Sequence, residues 1–88
     1  MRTVYKYKIP LARVKFELAL PVGHKFLRTC RQGPLEELFM WFEVDNELET
    51  KTETFILVGT GQNIPDGAKY VSTYDHGPLV LHIYKLGE

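Results

Sequence analysis

Two segments near the N-terminus alternate apolar and polar side chains with a period of two. Tyr5, Tyr7 and Ile9 alternate with lysines, and the segment 14–20 repeats the pattern over a longer run. Because successive side chains of a β-strand point to opposite faces, each segment predicts a strand with one face in water and the other in a core. Pro10 lies between them, where its missing N–H suits the end of a strand. We predict that the two strands form an antiparallel hairpin.

The middle of the chain predicts three further strands. The segment 26–32 follows a turn that contains Pro and Gly, and it ends at Gly33. The segment 37–44 is apolar on both sides, and its Trp, Phe and Val residues favour a strand, although residues 35–42 also contain good helix formers. The polar segment 45–49 is expected to join this fourth strand to a fifth in a second hairpin.

The last third of the chain predicts two strands joined by a tight turn. The segments 69–75 and 79–85 flank the sequence His-Gly-Pro, and in such a hairpin His82 lies opposite Thr73. The segment 79–85 is apolar on both faces, which is typical of a central strand covered on both sides or of a strand at a subunit contact.

Seven short strands with turn signals between them indicate an all-β fold. We predict a small antiparallel β-sandwich or partly open barrel that forms a single domain over residues 1–88. A short helix within residues 35–42 is the alternative, and it would change the class to α+β. The length allows a modest core, because a domain of this size buries roughly 60 to 70 per cent of the surface of its unfolded chain.

Charge and cysteine content exclude several classes of function. The chain has 11 Lys and Arg and 11 Asp and Glu, so it lacks the long-range field of a protein that binds duplex DNA non-specifically. Cys30 is the single cysteine, which excludes an internal disulfide and a multi-cysteine zinc site and is typical of a reducing compartment. No apolar run has the length of a membrane span or the pattern of a signal peptide. We predict a cytoplasmic protein with no membrane partner.

The loop 59–67, with the sequence GTGQNIPDG, resembles a phosphate-binding loop but lacks two of its parts. A dinucleotide fingerprint needs a third glycine where Ile64 stands, and it needs a helix afterwards. We interpret the loop as a strand exit in which Gly59 and Gly61 permit positive φ or a bulge and Ile64 plugs the end of the core. Alternatively, its polar side chains contact a partner or a small anion. The candidate partner-binding residues of the loop are Thr60, Gly61, Gln62, Asn63 and Asp66.

The sequence offers no group of residues that predicts catalysis, a metal site or a cofactor. His76 and His82 lie too far apart in the predicted hairpin to share a metal ion, and His24 lies in a turn. Ser72 has no nucleophile elbow around it, and the sequence places no orienting group beside Cys30. We therefore predict a non-enzymatic protein without catalytic, metal-binding or cofactor-binding residues.

Aromatic side chains are numerous, with five Tyr, five Phe and one Trp. Phe39 and Trp41 lie on the strand face opposite Leu38, Met40 and Phe42. One face must contribute to the core, so the other is either covered by a second layer, which we favour, or exposed as a recognition surface. Because aromatic residues anchor protein interfaces, Phe39 and Trp41 are candidate partner-binding residues.

A basic-aromatic strip is a further candidate surface. Its members are Tyr5, Lys6, Tyr7, Lys8, Lys25, Arg28 and Arg31. Such a strip would suit single-stranded nucleic acid, while a solvated strand face explains the same charges equally well.

Two segments, YKYKIPL and FILVGTGQNIPDGAKYVSTYDHGPLVLHIY, carry motifs in a characteristic order. Their order resembles that of a family of small uncharacterised proteins of tailed phages, prophages and bacteria, while residues 21–54 carry no matching motif. The family pattern is Gly-Thr-Gly-x-x-Ile, then Tyr-x-Thr, then a closing Leu-Val-x-His-x-Tyr/Phe strand. The family has no assigned activity, so the resemblance implies no catalytic residue. It implies an accessory role in the cytoplasm of a bacterial host, such as host takeover or anti-defence.

One functional hypothesis and two alternatives follow. We predict a small non-enzymatic binding protein, a phage or prophage accessory factor whose partner is a host or phage protein and which blocks a host protein. The first alternative is a binder of a nucleotide or another small anion, which would use the loop amides with Lys69 and His82. The second is a minor structural or assembly protein, for which a homo-oligomer is expected.

Overall fold

The computed structural model describes residues 1–87, which form seven β-strands connected by turns and loops. The strands are β1 (Arg2–Lys8), β2 (Lys15–Pro21), β3 (Lys25–Gln32), β4 (Glu37–Asp45), β5 (Thr50–Gly59), β6 (Lys69–His76) and β7 (Leu79–Leu86). No helix in this part of the chain has the length and apolar character needed to cross a membrane. The all-β class is confirmed, and residues 35–42, for which a helix was the alternative, belong to a turn and to β4.

The strands form two antiparallel sheets whose apolar faces pack together. The first sheet has three strands in the order β1-β4-β3, and the second has four in the order β2-β5-β7-β6. A single cluster of buried side chains from both sheets lies between them. The fold is therefore a β-sandwich, one of the two predicted architectures, and the sheets do not close into a barrel.

The connections between strands agree only in part with the predicted hairpins. β6 and β7 form the predicted hairpin, with Thr73 opposite His82. The predicted hairpins β1–β2 and β4–β5 are wrong, because β1 pairs with β4 and β2 pairs with β5. In both cases the connecting segment carries the chain from one sheet to the other. Alternation shows that a strand has one apolar face, but either sheet of a sandwich buries such a face, so the pattern does not determine the partner strand.

The core is formed by alternate residues of the facing strands. Its most enclosed large side chains are Phe42, Phe55, Ile9, Leu20, Met40 and Ile83. The ring of Phe42 lies 5.8 Å from Tyr7, 5.6 Å from Phe26 and 6.5 Å from Phe55, measured between ring centroids. The first two pairs are edge-to-face, an arrangement that adds to the stabilisation from burial alone. β4 therefore supplies the centre of the core.

The two open sides of the sandwich differ in their edge strands. On one side, β3 and β6 each contain an irregularity, between Phe26 and Arg28 and between Tyr70 and Ser72. These two edges approach each other, and Arg31 Nη2 donates a hydrogen bond to the carbonyl oxygen of Asp75. On the other side, β1 and β2 remain in register over every paired residue. Bulges discourage strand addition at an edge, so the β3–β6 side is the better protected of the two.

The outer face of each sheet has no second layer in residues 1–87. β7 is a central strand, as its sequence indicated, but only Ile83 and its neighbours on that face enter the core. His82 and Tyr84 on the opposite face are half-buried. The preferred interpretation of β4, in which a second layer covers Phe39 and Trp41, is wrong for the same reason. Both aromatic side chains are half-buried on the outside of the three-stranded sheet.

Candidate functional site

Phe39 and Trp41 lie side by side on the outer face of β4. Strand alternation places Leu38, Met40 and Phe42 in the core and turns the two aromatic residues outwards. The ring centroids of Phe39 and Trp41 are 5.9 Å apart with an interplanar angle of 62°. The pair therefore presents two adjoining apolar surfaces to solvent.

Cationic side chains flank this pair on both neighbouring strands. Lys6 of β1 and Arg28 of β3 lie opposite Trp41 on its two sides, and Lys25 lies opposite Glu43. Lys6 Nζ is 4.6 Å from the centroid of the Phe39 ring and donates a hydrogen bond of 2.7 Å to Gln32 Oε1. We use the name aromatic face for the surface formed by Phe39, Trp41, Lys6, Lys25 and Arg28.

The charge of the aromatic face is not balanced by its own carboxylates. Arg2 pairs with Glu43, and Lys8 pairs with Glu37 at 2.6 Å, so the acidic residues of β4 are already engaged. Among the described residues, no carboxylate forms an ion pair with Lys25 or Arg28. The face thus combines apolar rings with cations that are free to meet an anionic group.

The basic-aromatic strip expected from the sequence is divided by the fold. Tyr7 turns inwards against Phe42, and burial together with the neighbouring Tyr5 raises the pKa of its phenol. Lys6 and Lys8, which alternate with these tyrosines, point outwards instead, where Phe39 and Trp41 provide the aromatic component. The face could have been found from the sequence only by knowing that β1 pairs with β4.

The loop 59–67 begins with a turn that is closed by its own side chain. The Gly59 N–H donates to Gln62 Oε1 at 2.8 Å, and the Gln62 N–H donates to the Gly59 carbonyl oxygen at 3.0 Å. Gly61 has a φ of +92°, as predicted, whereas Gly59 does not adopt positive φ. The Gly59 amide therefore has a partner within the loop and does not form part of a phosphate cradle.

The tip of the loop lies in solvent. Asn63 and Asp66 are exposed, and their side chains have no partner among the described residues. Ile64 is 47 % exposed, so the interpretation in which it plugs the core is wrong. The loop leaves the four-stranded sheet, whereas Phe39 and Trp41 belong to the other sheet. The predicted partner-binding residues consequently form two separate surfaces.

A chain of hydrogen bonds links the loop to the outer face of the four-stranded sheet. Thr60 Oγ1 donates to the Val80 carbonyl oxygen at 3.3 Å and lies 3.1 Å from His82 Nε2. On the other side of the ring, His82 Nδ1 lies 2.9 Å from Thr73 Oγ1, which lies 2.7 Å from the Tyr70 hydroxyl. The four side chains form one connected network.

The donors of this network follow from counting protons. A carbonyl only accepts, so the single hydroxyl proton of Thr60 goes to Val80, and His82 Nε2 must donate to Thr60. A neutral imidazole carries one N–H, so Nδ1 accepts from Thr73, and Thr73 in turn accepts from Tyr70. Because the Thr60 proton is directed to a carbonyl, His82 does not activate Thr60 as a nucleophile. The network instead fixes the start of the loop to β7.

Lys69 and His82 do not form the anion site that was predicted for a protein that binds a nucleotide or another small anion. Lys69 lies opposite Lys85, three positions along β7 from His82, which places their side chains on opposite faces of the sheet. Among residues 1–87 no cluster of three His, Cys, Asp or Glu side chains is placed to hold a metal ion.

A cleft at one end of the sandwich was not predicted from the sequence. It has a volume of about 630 Å³ and lies where the turn after β1, the start of the loop 59–67 and the β6–β7 turn meet. We call it the end cleft and define it by Leu11, Arg13, Val14, Thr60, Leu79 and Val80, all of which line it. The sequence signal that could have indicated this cleft is the presence of large apolar residues in and beside turns, where polar residues are usual.

The comparisons with known proteins identify a family but no function. The model of a family described as a domain of unknown function (DUF7352) matches residues 1–88. No curated protein and no solved structure matches the chain.

Proposed function

We propose that the chain, which belongs to the DUF7352 family, is a non-enzymatic binding protein that contacts another protein through its aromatic face. The observation that carries this proposal is the pair Phe39 and Trp41, half-exposed on the central strand of a sheet with no layer over it in residues 1–87. Large aromatic side chains on a rigid strand lose little conformational entropy on binding, so they are effective anchors.

The chemistry of the aromatic face indicates the surface of its partner. Lys25 and Arg28 flank the rings without a carboxylate partner among the described residues, so an acidic surface with an apolar centre complements them. Such cations steer association and exclude basic partners, while the buried rings supply most of the affinity. We propose that the partner is a protein with an acidic rim around an apolar pocket.

The resemblance to small phage and prophage proteins supports a more specific form of this proposal. In that form, the partner is a host protein in the bacterial cytoplasm, and binding blocks its activity. The exposed tip of the loop 59–67, with Asn63 and Asp66, forms a second contact surface on the other sheet.

Affinity capture from a bacterial host lysate tests the proposal. The immobilised wild-type protein is expected to retain a partner in stoichiometric amount, and Trp41→Ala is expected to lower the affinity at least about 30-fold, as truncation of an interface anchor does. Arg28→Gln should weaken binding a few-fold and reduce its salt dependence. Leu48→Ala, which truncates an apolar side chain that is 47 % exposed in the connection between β4 and β5, is the control and should retain the partner.

Three results would contradict the proposal. Equal capture by wild type and Trp41→Ala would show that the aromatic face is not the contact. Recovery of only nuclease-sensitive material would assign the face to single-stranded nucleic acid, which also stacks on aromatic rings. A dimer in solution that Trp41→Ala dissociates would assign it to a second copy of the chain.

A further inference from the structure

The end cleft collects exposed apolar side chains from three separate segments of the chain. Leu11, Val14, Leu79 and Val80 are 39 %, 66 %, 56 % and 41 % exposed, and all four line this one cleft. Exposed apolar residues are common singly, but a contiguous group beside a concavity is typical of a binding site. The volume of about 630 Å³ lies within the range of small-molecule pockets.

The floor of the cleft is continuous with the core. Leu57 and Leu81 line it, and both pack against the buried cluster between the sheets. The apolar part of a ligand would therefore lie against a fixed surface. The Thr60 hydroxyl lies on the same wall, where its bonds to Val80 and His82 hold it in place.

The charge of the cleft has one sign. Arg13 is the one charged side chain among the described residues that line it, and no carboxylate of residues 1–87 forms an ion pair with Arg13. A guanidinium group that lines an apolar cleft complements a carboxylate in geometry and charge. A nucleotide fits less well, because its several charges would face mainly aliphatic walls.

We propose that the end cleft binds a small amphipathic carboxylate, with its aliphatic chain against Leu11, Val14, Leu79 and Val80 and its carboxylate at Arg13. This site lies at the end of the sandwich, apart from the aromatic face, and the proposal does not depend on the function proposed above. The anion site predicted from the sequence used Lys69 and His82. The end cleft is a different site, at which apolar side chains and a cation converge.

Titration of the full chain with decanoate, below its micelle concentration and followed by ¹⁵N–¹H NMR, tests the site. Saturable shifts are expected for the backbone amides of Val14, Thr60 and Leu79. Decanol should bind about three- to tenfold more weakly, because it lacks the charge that meets Arg13. Acetate should produce no saturable shift, because it lacks the aliphatic chain.

Two variants separate the two parts of the site, and a third is the control. Arg13→Gln should lower the affinity for decanoate about three- to tenfold and leave that for decanol unchanged. Leu79→Ser should weaken both ligands. Arg2→Gln, which changes an exposed arginine on the other sheet, is the control and should bind as wild type does.

The proposal is overturned if decanoate causes no saturable shift, if its shifts map to the aromatic face, or if Arg13→Gln binds decanoate as tightly as wild type. Shifts of the cleft amides that depend on protein concentration without ligand would also overturn it, since they would assign the cleft to contact between copies of the chain.

Discussion

Hydroxyl groups are the hydrogen-bond partners of both ring nitrogens of His82. Each ring nitrogen has one hydroxyl neighbour, Thr60 at Nε2 and Thr73 at Nδ1. With one proton on the ring, the Thr60 bond to the Val80 carbonyl oxygen sets the direction of every hydrogen bond from there to Tyr70. The network joins the start of the loop to β7, and Thr60 at that junction lines the end cleft.

Thr60→Val should loosen the loop without unfolding the sandwich. The substitution removes the acceptor of the His82 N–H and the donor to Val80, so we expect a loss of about 0.5–1 kcal/mol in the free energy of unfolding. Amide hydrogen exchange of residues 59–62 should become faster. The control is Thr52→Val. Thr52 is an exposed residue of β5, the strand that precedes the loop, and its side chain has no partner among the described residues. Unchanged exchange in Thr60→Val would show that the network does not hold the loop.

Tyr74 carries a buried hydroxyl that has no hydrogen-bond partner among the described residues. Removing it in Tyr74→Phe should raise the free energy of unfolding by about 1 kcal/mol, since an unsatisfied polar group costs free energy when it is buried. The Phe ring keeps the apolar contacts. Urea unfolding at neutral pH measures the difference, and a loss of stability in Tyr74→Phe would show that the hydroxyl has a partner.

The same hydroxyl makes stability depend on alkaline pH. Burial raises the pKa of Tyr74, and the nearby Arg31 opposes this shift. The folded state therefore retains the proton at a pH where the unfolded chain has lost it. The fold keeps its full stability below the unfolded pKa of about 10, where the phenol is neutral in both states, and it loses part of that stability as the pH rises from there through the higher folded pKa. Tyr74→Phe should lose less stability than wild type between about pH 9 and about pH 11. An equal loss in both proteins would assign the dependence to other groups.

At the scale of the strands, the sequence was sufficient to predict where the strands lie, but not which strands pair with each other. β4 was identified because Trp, Phe and Val outweigh the helix formers of residues 35–42, and the β6–β7 register followed from a short turn. The partners of β1 and β2 could not be predicted, because both sheets of a sandwich accept the same alternation. The aromatic face depends on the β1–β4 pairing, and the end cleft depends on three turns that meet in space. Neither could be assembled from the sequence alone.

The two faces of β4 should separate stability from recognition. Met40 is fully buried, so Met40→Ala should lower the free energy of unfolding by about 2–5 kcal/mol through lost burial and a new cavity. Trp41 is half-buried on the outer face, so Trp41→Ala should cost roughly 1 kcal/mol and leave the fold intact. Urea unfolding followed by far-UV circular dichroism compares the two. A larger loss in Trp41→Ala than in Met40→Ala would place the tryptophan in the structural core.

For the whole molecule, the zero net charge does not describe the charge of each surface. The aromatic face has two cations without carboxylate partners in the described chain, while the carboxylate of Asp45, on the same strand as Trp41, pairs with the N-terminal amino group. Hydrogen bonds from the Glu47 N–H and from that amino group lower the pKa of Asp45. Net charge therefore predicts only how strongly the chain attracts duplex DNA at long range, and it contains no information about a local surface.

Folding of the whole molecule should be slow for its size, because most strand pairings join distant segments. Of the five pairings in residues 1–87, β3–β4 and β6–β7 connect neighbours along the chain, whereas β1–β4 brings Arg2 beside Asp45. The chain loses entropy when these long loops close, and it does so before the long-range contacts stabilise the fold. We therefore expect refolding in about milliseconds to seconds. Fluorescence of Trp41, the single tryptophan, in a stopped-flow experiment measures this rate.

The order in which the strand pairings form during folding is testable at the β6–β7 turn. Gly77 has a φ of +60°, which an alanine adopts only with strain, so Gly77→Ala destabilises this hairpin selectively. Closing a short turn costs less entropy than joining β1 to β4, so we expect the hairpin to be formed in the folding transition state. Gly77→Ala should then slow refolding and leave the unfolding rate nearly unchanged. A variant that unfolds faster but refolds at the wild-type rate would show that the hairpin forms after the two sheets have come together.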